Sequence, residues 1–183
     1  MSLPIVPQRL ARRSDVERIG ELMRDSILDL FPRFYDERQT ASSAIYIGEP
    51  DLTLIDDGTY YVHETQGEIV ACGGWSKRDK LYTGSDEAAG SARLLDPATE
   101  PARVRAMFTR SDWTRRGLGR AILERCERDA RAAGFTTLAL MATLPGEQLY
   151  RAHGFRETGR DIVRMPDGVE VECVAMERPV SST

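Results

Sequence analysis

The residues best suited to chemistry lie together in Arg115-Arg116-Gly117-Leu118-Gly119-Arg120, between a strand pattern and a strongly amphipathic helix pattern. Two glycines flanking one residue at a helix start let the backbone approach a ligand closely. The free N–H groups of the first turn then point outward, where the helix dipole also favours negative charge. Four arginines in eleven residues (Arg110, Arg115, Arg116, Arg120) stand against one acid, Asp112. The chemistry this points to is the holding of a phosphate or pyrophosphate. Two familiar phosphate loops do not fit. A P-loop needs Lys-Ser/Thr after its glycines, and Arg120-Ala121 follow here; a dinucleotide fingerprint needs Gly or Ala where Ile122 stands. On the hexapeptide alone, an arginine-rich surface helix without a ligand remains an alternative.

Such a loop needs a strand before it and a helix after it. Arg103 to Thr109 supplies the strand pattern, and Leu118, Ile122, Cys126, Ala130 and Ala133 repeat along one side of a helix that Gly134 closes. A strand from Thr136 to Ala142 follows, then a short helix carrying Leu149 and Tyr150. Upstream, Gln8 to Arg12 reads as a strand and Ser14-Asp15-Val16-Glu17 as a capping box. Val16, Ile19, Met23, Ile27 and Leu30 continue at helical spacing until Pro32 ends the helix. A second helix is expected from Asp36 to Ile47. Tyr60 to Thr65 and Ile69 to Ser76 form a hairpin pattern, as do Ile162 to Met165 and Val169 to Met176 around Pro166-Asp167-Gly168. Lys77 to Pro101 lacks periodicity and is expected to be a long loop that covers an acceptor site. The tail Pro179 to Thr183 is expected to fray.

In this order the motifs resemble the GCN5-related N-acetyltransferase superfamily. The loop resembles its Gln/Arg-x-x-Gly-x-Gly/Ala signature, and Tyr150-Arg151-Ala152-His153-Gly154-Phe155 resembles its Tyr-x-x-x-Gly-Phe signature. The resemblance spans about residues 103–155. It implies an α/β (α+β) fold with a mixed, mostly antiparallel sheet, helices on both faces, and a fourth strand splayed from the fifth. It implies acetyl-CoA as co-substrate and transfer of its acetyl group to a primary amine of a small molecule or peptide by direct attack. Met107, Phe108 and Thr109 would present a backbone edge to pantetheine. Thr114, Arg115, Arg116, Gly117, Leu118, Gly119 and Arg120 would hold the pyrophosphate. Tyr150 would protonate the departing thiolate. Two positions depart from the pattern: Thr114 stands where Gln or Arg is usual, and Thr143 where many relatives carry a CoA-contacting Asn. Met141 stands where the ribosomal-protein alanine acetyltransferases place a glutamate, so a general base would be remote; Glu64, His63 and Glu100 are the candidates. His153 is expected to cap its helix as a cation.

The chain of 183 residues fits a single domain, and 41% hydrophobic content allows a sizeable core. No run of about 18 apolar residues and no secretory leader is seen, so a soluble, cytoplasmic protein without a membrane partner is expected. A net charge of −4 argues against nonspecific nucleic-acid binding. Cys72, Cys126 and Cys173 read as small buried hydrophobes, and two scattered histidines argue against a metal site. A homodimer is compatible with these features. From Asp36 to Glu68, eight acids face one base, Arg38; they would suit a cationic amine, or are only a solvated face. The acceptor pocket is expected along the first helix, the loop with Phe31, Phe34 and Tyr35, and the segment after Trp75. A non-catalytic acetyl-CoA-binding regulatory module and an ATP-phosphate-binding loop are the competing readings.

Overall fold

The computed structural model describes residues 5–80 and 93–181. Within them, strands β1 (Gln8–Leu10), β2 (Tyr60–Thr65), β3 (Glu68–Ser76), β4 (Ala102–Thr109), β5 (Thr137–Thr143), β6 (Arg156–Arg164) and β7 (Glu170–Pro179) form one sheet, in the order β1-β2-β3-β4-β5-β7-β6. Neighbours are antiparallel except β4 and β5, which are parallel. The α-helices are α1 (Val16–Leu30), α2 (Glu37–Tyr46), α3 (Leu52–Asp56), α4 (Leu118–Ala132) and α5 (Glu147–Ala152).

Side chains alternate across a strand, so neighbouring residues report on opposite faces. Leu138, Leu140 and Ala142 of β5 pack with Leu118, Ile122, Leu123, Cys126 and Ala130 of α4. Met141 instead packs with Ile27 and Phe31 at the end of α1 and with Ala44 of α2. Helices α4 and α1 therefore cover opposite faces. The mixed sheet with helices on both sides agrees with the expected class.

The feature that creates a site is the parting of β4 from β5. Their ladder holds only Ala102 opposite Leu138 and Arg103 opposite Ala139; the rest of each strand diverges. A bulge sits where they separate. Ala106 and Met107 together oppose Gly73, between the pairs Arg105–Gly74 and Phe108–Cys72, and Ala106 adopts a left-handed φ of 53°. Such a bulge bends its strand and increases its twist. A Cβ on Gly73 would lie 2.2 Å from the Met107 sulfur, so glycine is what leaves Met107 room.

Several boundaries differ from the sequence reading. Strand β1 stops at Leu10, and Ser14 does not cap α1. A 3₁₀ turn, Arg13–Asp15, precedes that helix, and Asp15 accepts from the Arg12 N–H at 2.8 Å and from Arg9 and Arg18. Asp36 does cap α2, accepting from Gln39 N–H at 2.7 Å while Gln39 accepts in return. Helix α3 was not expected. Strand β6 is longer than its apolar pattern because it is an exposed edge whose charged residues carry no period-two signal. The tail is not frayed up to Ser181: Val180 N–H donates to Thr136 O and Ser181 N–H to Glu127, each at 2.8 Å. Of the expected long loop, residues 81–92 lie outside the described residues, but its flanks pair through an Arg78–Leu94 bridge.

Candidate active site

The divergence of β4 and β5 opens a cleft of about 750 Å³ that passes between the two faces of the sheet. Of the residues expected at a site, Met107, Phe108, Thr109, Thr114, Arg115, Gly117, Leu118, Gly119, Arg120, Thr143 and Tyr150 all line it. Arg116 does not; its guanidinium stacks over Trp113 at 4.4 Å from the ring centroid.

The loop before α4 is built to expose backbone. Gly117 is the N-cap at φ 82°, and Arg115 is also left-handed at φ 63°. Left-handed residues are costly for all but glycine, and strain of this kind clusters at ligand sites. A Cβ on Gly117 would meet nothing within 4 Å, whereas one on Gly119 would lie 2.9 Å from Leu149 Cδ2. The two glycines thus differ in purpose: Gly117 shapes the turn, and Gly119 lets α5 close against α4. Thr114 spends its hydroxyl on Ser111 O at 2.9 Å. Arg120 pairs with Glu124, while Arg115 has no ion pair among the described residues.

Tyr150 sits in the cleft wall, 8% exposed, its ring edge-on to Phe155 at 5.9 Å. Among the described residues its hydroxyl has no hydrogen-bond partner, and burial pushes the phenol well above its ordinary pKa. It stays protonated at neutral pH, as a proton donor must. Tyr35 differs. Its hydroxyl donates to Glu172 O at 2.7 Å and accepts from Leu144 N–H at 2.9 Å, tying the end of α1 to β7 and to the turn after β5. Tyr35 is therefore core rather than pocket, and residues 76–80 and 93–101, the described flanks of the segment after Trp75, do not line the cleft either. Phe31 and Phe34 do line it.

None of the three candidate bases lines the cleft. Glu64 is held low by Arg18 and Arg9, and Glu100 is drawn down to about 2 chiefly by Arg93. His63 is buried, with Val6 O 3.0 Å from its Nδ1, and burial lowers its pKa. His153 occupies the C-cap of α5 as expected, but burial and Arg178 lower its pKa, which disfavours the cation there. The eight acids between Asp36 and Glu68 are also absent from the cleft. Asp51, Asp56, Asp57, Glu64 and Glu68 are each paired to a basic side chain. The strongest case is Asp51, 2.7 Å from Arg105 with both groups buried. The three cysteines are buried and free, as expected; burial pushes Cys173 up to about 12.

The first helix and the loop after it do line the cleft, as expected, through Ser26, Leu30, Phe31, Arg33 and Phe34, while Ile47 and Val163 join the same wall without having been singled out in the sequence. No motif marks Ile47 or Val163 as part of a site. For the bulge a signal existed in Gly73-Gly74, two glycines in an otherwise apolar strand. Among the described residues no helix is long and apolar enough to cross a membrane, and no cluster of metal-ligating side chains is found.

A family model described as the acetyltransferase (GNAT) family matches residues 23–155, well over half of the chain. No curated protein matches by sequence. Among solved structures, the chain is similar to a GCN5-related N-acetyltransferase from Rhodopseudomonas palustris, at TM-score 0.74 and 18% identity over 98% of both chains. It is also similar to the PaiA N-acetyltransferase of Thermoplasma acidophilum in complex with coenzyme A, at TM-score 0.66 and 12% identity, covering 96% of this chain and 99% of that one. A third is YncA of Salmonella typhimurium with its cofactor acetyl-CoA, at TM-score 0.63 and 16% identity, covering 98% and 96%. At these identities the likeness establishes the fold.

Proposed function

The chain belongs to the acetyltransferase (GNAT) family, and from that membership we propose that it moves an acetyl group from acetyl-CoA to a primary amine by direct attack on the thioester. The observation that carries this reading is the cleft between β4 and β5, which has an arginine-flanked glycine turn in its wall and a protonated phenol within it. Acetyl-CoA supplies a pyrophosphate, an amide-bearing arm and a thioester. The backbone from Arg115 to Arg120, with the Arg115 side chain that has no ion pair among the described residues, suits the pyrophosphate. The edge of β4 at Met107 to Thr109 has no strand beside it on the β5 side and suits the arm. An N–H from this edge would steady the carbonyl oxygen as charge develops on it. Tyr150 would donate its proton to the sulfur as the C–S bond breaks.

Thermal unfolding with acetyl-CoA and with ATP, followed by CoA-thiol release over an amine panel, tests this. A ligand bound only to the folded state adds about 2.7 kcal/mol at a hundredfold excess over Kd. Acetyl-CoA is expected to raise Tm and ATP not to. Gly119→Glu is expected to abolish the acetyl-CoA shift. Gly119→Ala, which displaces the Leu149 tip but adds no charge, is expected to keep most of it. Retained acetyl-CoA affinity in a folded Gly119→Glu protein would refute the placement. Binding without CoA release for any amine would leave a regulatory acetyl-CoA-binding module.

A further inference from the structure

The wall of the cleft on the α1 side has a composition that selects among amines. Leu30, Phe31, Phe34, Ile47, Met141 and Val163 make it apolar. No Asp, Glu or His side chain lines the cleft among the described residues. Two arginines line this side: Arg105, buried against Asp51, and Arg33, on the turn Phe31–Arg33 that follows α1. Of the cleft-lining arginines, Arg105 pairs with Asp51 and Arg120 with Glu124, while Arg33 and Arg115 have no ion pair among the described residues. In a chain that ties most of its arginines to acids, two are left uncommitted in the cleft. Arg115 is on the glycine turn that opens α4; Arg33 is beside α1, on the opposite face of the sheet.

Resting on the acetyltransferase reading, we propose that the acceptor is an amine with an apolar body and a carboxylate, and that Arg33 is the residue that selects for the carboxylate. A guanidinium forms paired, charge-assisted hydrogen bonds to a carboxylate. A dicationic amine would meet no counter-charge on this wall and would face Arg33. None of the eight acids from Asp36 to Glu68, which suited a cationic substrate, lines the cleft, and five of them are held in ion pairs elsewhere. The α-amino group of an amino acid also has a lower pKa than an alkylamine, so more of it is neutral and able to attack.

The test measures CoA-thiol release, with acetyl-CoA saturating, for pairs that differ by one carboxylate. The pairs are phenylalanine against 2-phenylethylamine and leucine against 3-methylbutylamine, with cadaverine as the dicationic arm. C-terminally amidated alanyl-glutamate against alanyl-glutamine asks whether the carboxylate belongs to a peptide side chain instead. The carboxylate member of at least one pair is expected to win in kcat/KM by roughly 10- to 100-fold, the range of hydrogen bonds to charged groups. Arg33→Ala should bring that ratio toward one, and Arg33→Lys should retain part of it. Arg38→Ala, on α2 outside the cleft, should leave it unchanged. Victory for the neutral or dicationic members, or an unchanged ratio in Arg33→Ala, would overturn the inference while leaving acetyl transfer standing. Absence of CoA release with every amine would remove the underlying reading as well, and acetyl-CoA thermal stabilisation would show whether binding survives.

Discussion

Tyr150 and Tyr35 make a matched experiment, because both are buried phenols near the cleft and only one has partners for its hydroxyl. In Tyr150→Phe the ring keeps its edge contact with Phe155 and its place over Gly146, and no protein hydrogen bond is lost. Stability should therefore change by no more than about 0.5 kcal/mol, the ordinary range for a substitution that touches no special feature. The chemistry should suffer, since a positioned acid contributes on the order of 100- to 10,000-fold, or roughly 2.7–5.4 kcal/mol of barrier. Tyr35→Phe should do the reverse. It strands the Glu172 carbonyl and the Leu144 N–H, which its hydroxyl bridges at 2.7 and 2.9 Å. A buried polar group left without a partner costs about 1–3 kcal/mol, or roughly 2–12 °C of Tm for a chain of this size. The assays are thermal unfolding and single-turnover acetyl transfer, with acetyl-CoA affinity measured separately. A Tyr150→Phe protein that unfolds early but turns over normally would make Tyr150 a packing residue and refute the assignment. An unaffected Tm in Tyr35→Phe would refute the bridging argument.

Asp51→Asn keeps the hydrogen bond from Thr53 N–H that caps α3 but removes the charge facing buried Arg105. Breaking a buried pair costs about 3–5 kcal/mol, so Tm should fall by roughly 6–20 °C; a fall under about 2 °C would mean that Arg105 is not relying on this acid. A pH series should isolate the two histidines. Burial depresses both His63 and His153, so the unfolded chain takes up protons first. Their contribution is complete above the unfolded value near ~6.5 and is lost as pH falls toward the folded values. Carboxylates such as Asp15, held low by Arg9, enter only at more acid pH. Tm should decline from pH 7.5 to 5.5, and a His63→Gln/His153→Gln double variant should flatten that decline. An identical slope in the variant would remove the histidines from the account.

What the chain discloses in advance follows physical range. Helix α4 was readable because Leu118, Ile122, Cys126 and Ala130 recur on one side, and because Gly134, at φ 92°, must follow it. The glycine loop was readable because backbone exposure at a helix start is a local property. Strand β6 was underread because an exposed edge buries little and so loses its alternation. Of the eight acids from Asp36 to Glu68, five are held in ion pairs that reach across the sequence, as from Asp51 to Arg105 and from Asp56 to Arg13. Composition sees such acids as an excess, while the fold spends them on arginines. Arg33 carries no such signal for the complementary reason: it has no ion pair among the described residues, and a missing partner is visible only in three dimensions.

The lack of a carboxylate or imidazole in the lining also bears on how the amine becomes a nucleophile. A bound ammonium would lie among apolar side chains and near uncommitted arginines, and desolvation and like charge both lower its pKa. On the proposed reading the cleft itself would therefore favour the free amine, and the released proton would leave to water without a dedicated base. Two protic side chains remain in the lining with raised pKa values, Tyr150 and Cys173. Cys173 projects to the α1 face, with Val171 and Met141, whereas Tyr150 belongs to the α4 face with Leu118 and Phe155. On the proposed reading the phenol would be the acid on the side where the glycine turn would place the cofactor, and the apolar wall with Arg33 would be the side left to the acceptor. The sheet's divergence would then divide the labour: one face would steady the leaving group, and the other would strip and orient the amine.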